Sequence, residues 1–229
     1  MRQGQVSDHL VKTDFDMTRI FPGVLAMAAV VVASNILVQF LILDGLLTWG
    51  ALTYPIAFLV TDVMNRVYGA AAARRVVFIG FIVGVICSLI GSQIMIQGDG
   101  FEFPAVALRV AIGSATGFLV AQLVDVAIFS KLREGAWWRA PLASTLVGSA
   151  LDTILFFTIA FSATVSFGAA ADGEISWAWE TVPFLNVGGL VPLWVSLAVA
   201  DWAAKLTIAL IALVPFRLIV RQMQQTAQV

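Results

Sequence analysis

The sequence predicts an all-α integral membrane protein with six transmembrane helices and both termini in the cytoplasm. Three observations carry this reading. Of 229 residues, 60% are apolar and 12% charged, about half the charged share of an ordinary soluble domain, and the mean hydropathy is +0.96. The apolar residues gather in six runs, each long enough to cross a ~30 Å hydrocarbon core as a helix. Between the runs, the charges separate by sign. A soluble enzyme or DNA-binding module is excluded, and a net charge of −1 predicts no nucleic-acid partner.

The runs cover 20–43, 46–67, 76–96, 104–130, 140–167 and 187–216, leaving a polar N-terminal tail (1–19), a six-helix membrane domain (20–220) and a short C-terminal tail (221–229). The first run is too long for the h-region of a signal peptide and no cleavage site follows it, so it is expected to stay as an anchor. Gly80 with Gly84 in the third run, and Gly113 with Gly117 in the fourth, have the spacing that lets helices approach closely. The sixth run is longer than one span needs. Pro183, Gly188, Gly189 and Pro192 around its start predict an irregular lead-in or short re-entrant segment. Trp137, Trp138, Trp177 and Trp179 fall near span ends, where an indole suits the headgroup region.

The loop charges set the orientation. Arg2, Lys12 and Arg19 precede the first run, Arg74 and Arg75 follow the second, Lys131, Arg133 and Arg139 follow the fourth, and Arg221 follows the sixth, with Arg66 and Arg217 at span ends on those sides. The alternate loops hold only acids: Asp44, Asp99, Glu102, Asp172, Glu174 and Glu180. Under the positive-inside rule, only six spans with cytoplasmic termini satisfy every loop. Cys87 is the single cysteine and His9, in the polar tail, the single histidine. No disulfide, histidine-based catalysis or intramembrane zinc site is therefore expected, and no metal or cofactor.

Function is expected among the polar residues left inside the spans, since each charge costs at least ~2.5 kcal/mol facing lipid. Asp62 with Arg66, and Asp201 with Lys205, are four apart and can pair on one helix face, shaping or gating a cavity, or simply neutralising themselves. Arg109 is expected to snorkel outward. Asp125 follows Gln122 by three residues near a span end. Asp152 stands out: ~18 Å into its span, it has no cation one turn away on its own helix. Ser144, Thr145, Gly148 and Ser149 lead up to it. Asn35 and Gln39 share one face of the first span, and Gln93 is a further amide. A carboxylate with paired amides suits a neutral, planar, hydrogen-bonding solute such as a nucleobase edge, whose face Trp49, Tyr54 or Phe58 could cover. Asp152 could equally be a proton-coupling group.

The segments A-S-N-I-L-V-Q (33–39), L-T-W-G-A-L-T-Y-P-I-A-F-L-V-T-D-V-M-N-R-V-Y-G (47–69), A-R-R (73–75), A-Q-L-V-D (121–125), W-W-R-A-P-L-A-S-T-L-V-G-S-A-L-D-T (137–153) and D-W-A-A-K (201–205) closely resemble the queuosine precursor transporter family, in order and spacing, over nearly the whole membrane region. The resemblance implies import of 7-cyano-7-deazaguanine (preQ0), and of 7-aminomethyl-7-deazaguanine (preQ1) as a further substrate, across the bacterial inner membrane for queuosine modification of transfer RNA. Carried over by position, the family signature falls on Asn35, Gln39, Thr61, Asp62, Arg66, Gln122, Asp125, Ser144, Thr145, Asp152, Asp201 and Lys205. On this reading Asp152 accepts the base N1–H and 2-amino protons, with Asn35 and Gln39 reading the rest of its edge. Relatives often carry Gly-Asn where this chain has Gly148 and Ser149, which predicts a local difference in contact or selectivity.

Several alternatives stay open: a carrier of another purine or vitamin, or a substrate-binding subunit driven by a separate ATPase, since no phosphate loop is present. The partners are a small solute and the lipid bilayer, with a homo-oligomer also open. An intramembrane aspartyl protease using Asp62 and Asp152 is disfavoured, because neither lies in the setting such enzymes use.

Overall fold

The computed structural model describes residues 17–37, 40–97, 100 and 102–226. In chain order its helices are α1 (Met17–Leu37), the short α2 (Trp49–Thr53), α3 (Ile56–Tyr68), α4 (Ala70–Gly91), α5 (Leu108–Leu132), α6 (Arg139–Phe161), the short α7 (Ala169–Gly173) and α8 (Leu193–Thr226). Five of these, α1, α4, α5, α6 and α8, are long and apolar enough to cross a membrane. Their outward faces are apolar: Leu25, Ile82, Leu89, Ile154, Ile211 and Leu218 are all exposed. A belt of this kind is unfavourable in water and suits lipid.

The region expected to be a continuous second span is instead broken into α2 and α3 at Tyr54 and Pro55. Pro55 has no N–H for the Ala51 carbonyl and its ring crowds that carbonyl. The next bonds, from Ala57 N–H to Tyr54 O and from Phe58 N–H to Pro55 O, tighten to the i, i+3 pattern. The first and fifth spans also end earlier than expected. A two-stranded hairpin, β1 (Leu41–Ile42) with β2 (Leu47–Thr48), follows α1, turning through positive φ at Leu43, Asp44 and Gly45. Past α6, Ser162 is already extended.

Further hairpins, β3 (Met95–Gln97) with β4 (Glu102–Pro104) and β5 (Thr181–Pro183) with β6 (Leu190–Pro192), lie in the other two acidic connections. The irregular lead-in expected before the last span is this β5–β6 hairpin. By contrast, α3 turns into α4 through the single residue Gly69, at φ +86°, and α5 reaches α6 through 133–138.

Small residues fix the packing. A Cβ on Gly113 would lie 3.1 Å from the Phe156 carbonyl, and one on Gly117 would lie 3.0 Å from Asp152 Oδ1, both on α6. Glycine at these two positions brings the α5 and α6 backbones together, the packing role expected from their spacing. Around this pair, Met27 and Val31 of α1, Met64 of α3, Val76 and Val77 of α4, and Phe118 of α5 form the main apolar core.

Arg109, at the start of α5, is fully buried rather than extended outward. Its Nε and Nη2 donate to the Ile159 carbonyl at 3.2 and 3.1 Å, Nη2 donates to the Ser162 carbonyl at 2.7 Å, and Nη1 pairs with Asp172 of α7 at 2.9 Å. A cation thus serves two carbonyls at the C-terminal end of α6, where positive charge is favoured. Asp172 also accepts from the Ser166 hydroxyl and the Phe167 N–H. Those two bonds first, and Arg109 after them, hold its carboxyl below the ordinary carboxylate range. A carboxylate whose folded value is depressed stabilises fully above the unfolded value of ~3.9 and loses that contribution as pH falls further. Acidification below about pH 4 is therefore expected to lower the melting temperature of the wild type in detergent more than that of Asp172→Asn. Equal losses would contradict this latch.

Candidate functional site

Two helices, α6 and α8, bring charges together beside the break between α2 and α3. Lys205 and Asp201, one turn apart on α8, pair at 2.5 Å, and the same ammonium reaches Asp152 of α6 at 2.7 Å. The side chain of Thr153 completes the ring, accepting from Lys205 at 3.1 Å and donating to Asp201 at 2.9 Å. From the helix break, the Tyr54 hydroxyl donates to the other oxygen of Asp152 at 3.1 Å, and the Tyr54 ring lies 5.5 Å from the ammonium. Asp152, Asp201 and Lys205 are all buried, at 4%, 8% and 3% exposure.

Asp201–Lys205 is not self-contained, and the partner that Asp152 lacks on its own helix comes from another, as Lys205 of α8. One cation serves two carboxylates, so the cluster carries one uncompensated negative charge when all three are ionised. Ser144 and Thr145 do not approach Asp152, because they lie about two turns away along α6. They donate instead to Asp62, at 3.2 and 3.4 Å.

Asp62 begins a second polar group. Asp125 lies beside it, within reach of both the Asp62 carboxyl and the Ser144 hydroxyl, but neither Asp125 oxygen has a hydrogen bond of normal geometry. Thr61 donates to Gln122 Oε1 at 2.6 Å, while Gln122 Nε2 is buried without a partner. A cleft between α3, α6 and α8 reaches Asp62, Thr145 and Phe58. Its interior has room for about one water, so a base-sized solute requires it to widen.

The expected Asp62–Arg66 pair is not formed. Arg66 donates to the Arg133 carbonyl, Arg133 donates back to the Arg66 carbonyl at 3.0 Å, and the Arg66 guanidinium lies 5.1 Å from the Phe129 ring. The C-terminus of α3 is thereby latched to the α5–α6 connection. Immediately before Arg66, Asn65 donates to the Val126 carbonyl and to Ser130. Thr61, Asp62 and Asn65 thus form a polar stripe facing α5.

The remaining candidates disperse. Asn35 donates to Val31 of its own helix, while its neighbour Ser34 bridges to Thr53 of α2 at 3.0 Å. Gln39 lies outside the described residues, as do Asp99 and the tail holding Arg2, His9 and Lys12. Trp49 is half exposed and Gln93 exposed, so neither lines the cluster. Phe58 is buried edge-on to Tyr54. Asp62 and Asp152 belong to separate groups, against the paired carboxyls a protease needs. Thr153, Asn65 and the Ser34–Thr53 bridge were not singled out as site residues in the sequence. Thr153 adjoins Asp152 and Asn65 follows Thr61 by one turn, which are the signals that point to them.

A family model described as "Putative vitamin uptake transporter" matches residues 48–220. The chain is 32% identical over 195 residues to the "Queuosine precursor transporter" of Escherichia coli (strain K12), covering 81% of this chain and 79% of that one. It is 36% identical over 177 residues to the "Probable queuosine precursor transporter" of Haemophilus influenzae, covering 73% and 66%. A protein of the latter name from Bacillus subtilis (strain 168) matches at 30% over 128 residues, half of this chain. No solved structure matches.

Removing one partner of a buried ion cluster leaves unpaired charge and costs about 3–5 kcal/mol. Lys205→Met is expected to lower thermal stability in detergent sharply, and adding Asp201→Asn to restore part of it. A double variant no more stable than Lys205→Met would contradict the sharing of one cation.

Proposed function

Because the chain belongs to the queuosine precursor transporter family, and is a multi-pass membrane transporter of queuosine precursors rather than an enzyme, we propose that it imports 7-deazaguanine bases, preQ0 foremost and preQ1 as a second substrate. It does so across the bacterial inner membrane. On this reading α2 and α3 cross as one broken span, making six. The basic end, with both termini, faces the cytoplasm, as the positive-inside rule requires.

The observation that carries the substrate reading is the Asp152–Lys205 pair beside Tyr54. The hydrogen-bonding edge of a guanine-like base presents a carbonyl acceptor next to two donors, N1–H and the 2-amino group. Lys205 offers a donor and Asp152 an acceptor 2.7 Å apart, in the order that edge requires. The base N–H groups replace the Tyr54 hydroxyl on Asp152, while Lys205 donates to the base carbonyl. Tyr54 and Phe58 then cover the ring face. The helix break supplies the give, because Tyr54 sits where the backbone ladder is already interrupted, as at binding sites on discontinuous membrane helices. Asn35 and Gln39 of the first span are further contacts for the base, once Asn35 releases the Val31 carbonyl.

The Arg66–Arg133 latch closes the cytoplasmic end in the conformation described, and the cleft beside Phe58 is the route that widens when it opens. Asp201 keeps Lys205 in place when the base engages Asp152.

Hydrogen bonds to a charged group are worth about 1.5–3 kcal/mol each. Asp152→Asn, at normal membrane expression, is therefore expected to cut preQ0-dependent queuosine formation about tenfold or more in a strain unable to make preQ0. Undiminished formation would remove Asp152 from substrate binding. Excess guanine should compete with labelled preQ0 and biotin should not. The reverse pattern would favour a vitamin carrier.

A further inference from the structure

We propose that Asp62 and Asp125 together hold one exchangeable proton, and that this proton crosses the membrane with each base, so that the proton gradient drives uptake. The inference rests on the transport reading above and adds its energy source.

Asp62 on α3 and Asp125 on α5 are 3% and 0% exposed and lie side by side. Among the described residues no ion pair reaches either carboxyl, although Arg66 lies close enough to Asp62 to feel its charge. On α3 itself, Arg66 is turned to the Arg133 and Trp137 carbonyls. From α6 come only the hydroxyls of Ser144 and Thr145, from α5 the amide of Gln122, and from α8, across the cleft, only apolar side chains such as Leu213 and Phe216. Two carboxylates in contact and away from water cannot both stay ionised.

The hydrogen bonds say where the proton sits. Both Asp62 oxygens accept hydroxyl bonds, whereas neither Asp125 oxygen accepts one of normal geometry. A proton on Asp125 converts the contact into an O–H···O bond to Asp62 and leaves Asp62 its two donors. When the proton leaves, Asp125 needs a new donor. Gln122 Nε2, fully buried, unpartnered and one turn away on α5, is the free donor nearest in sequence. Asp62 also lines the cleft, whose interior holds about one water and has no room for a base in this conformation.

The cycle balances simply. One proton bound from outside is released inside for each neutral base, moving one positive charge inward. Loss of the proton leaves two facing charges that favour separation of α3 and α5, and its return lets them close.

The test uses the full chain in proteoliposomes with labelled 7-cyano-7-deazaguanine and the membrane potential clamped. Counterflow without any gradient measures transport itself. Accumulation under an inside-alkaline step of about one pH unit measures coupling, and one proton per base predicts about a tenfold rise in steady-state accumulation. Asp125→Asn, which mimics the protonated form, should keep counterflow and lose the gradient-driven accumulation. Wild-type counterflow with accumulation indifferent to the gradient would overturn the proposal, as would tenfold concentration by Asp125→Asn. Absence of wild-type counterflow would sink the transport reading instead. Should Asp125→Asn fail to insert, external alkalinisation on adding the base to wild-type vesicles, read with a pH-sensitive dye, decides alone: its presence supports coupling and its absence overturns it.

Discussion

Lys205 places one ammonium between two carboxylates in a part of the protein where water is scarce, and a charge in such a place is tolerated only when paired. That requirement ties α8 to α6 through Asp152 and Thr153, and both to the α2–α3 break through Tyr54. Three elements far apart in sequence are therefore held at one point. The same requirement makes the point selective, because a solute that replaces any bond must return equivalent donors and acceptors or leave a buried charge exposed. A guanine-like edge does this. An apolar solute cannot.

Around this point the polar groups form tiers along α6. The ion cluster lies at Asp152 and Thr153, the carboxyl pair about two turns away at Ser144 and Thr145, and the Arg66–Arg133 latch beyond it at the α5–α6 connection. At the opposite end, Arg109 locks α5 to the end of α6 and to α7. The α5–α6 pair is the rigid part, since Gly113 and Gly117 bring the two backbones too close for a side chain between them. The elements with freedom to move are α2 and α3, whose ladder Pro55 interrupts. Movement is thus expected on the α3 side of the cluster, where the cleft already lies.

Much of this was legible in the sequence. Apolar run lengths located the five long helices, the sorted loop charges separated the basic from the acidic connections, and the depth of Asp152 marked it as the centre. Two kinds of feature were not legible. Pairing at i, i+4 describes what one helix permits, not what its neighbours offer: Asp62–Arg66 and Asp201–Lys205 share the same spacing, yet carbonyls at the end of α5 claim Arg66 while a second carboxylate shares Lys205. Distance along a helix is the other. Ser144 and Thr145 precede Asp152 in sequence, but lie too far along the helix to serve the same carboxylate. Arg109 is a third instance, since carbonyls at the end of α6 offered its guanidinium more than the headgroup region did. The Pro55 break was visible as a residue, but hydropathy averages across it.

The central claim is that the Asp152–Lys205 pair reads the donor–acceptor edge of a guanine-like base. The most direct measurement is the affinity of the purified protein for 7-cyano-7-deazaguanine against the analogue lacking only the 2-amino group. Loss of a hydrogen bond to a buried carboxylate predicts about 1.5–3 kcal/mol, at least tenfold weaker binding of the analogue. Equal affinity for the two would contradict the account.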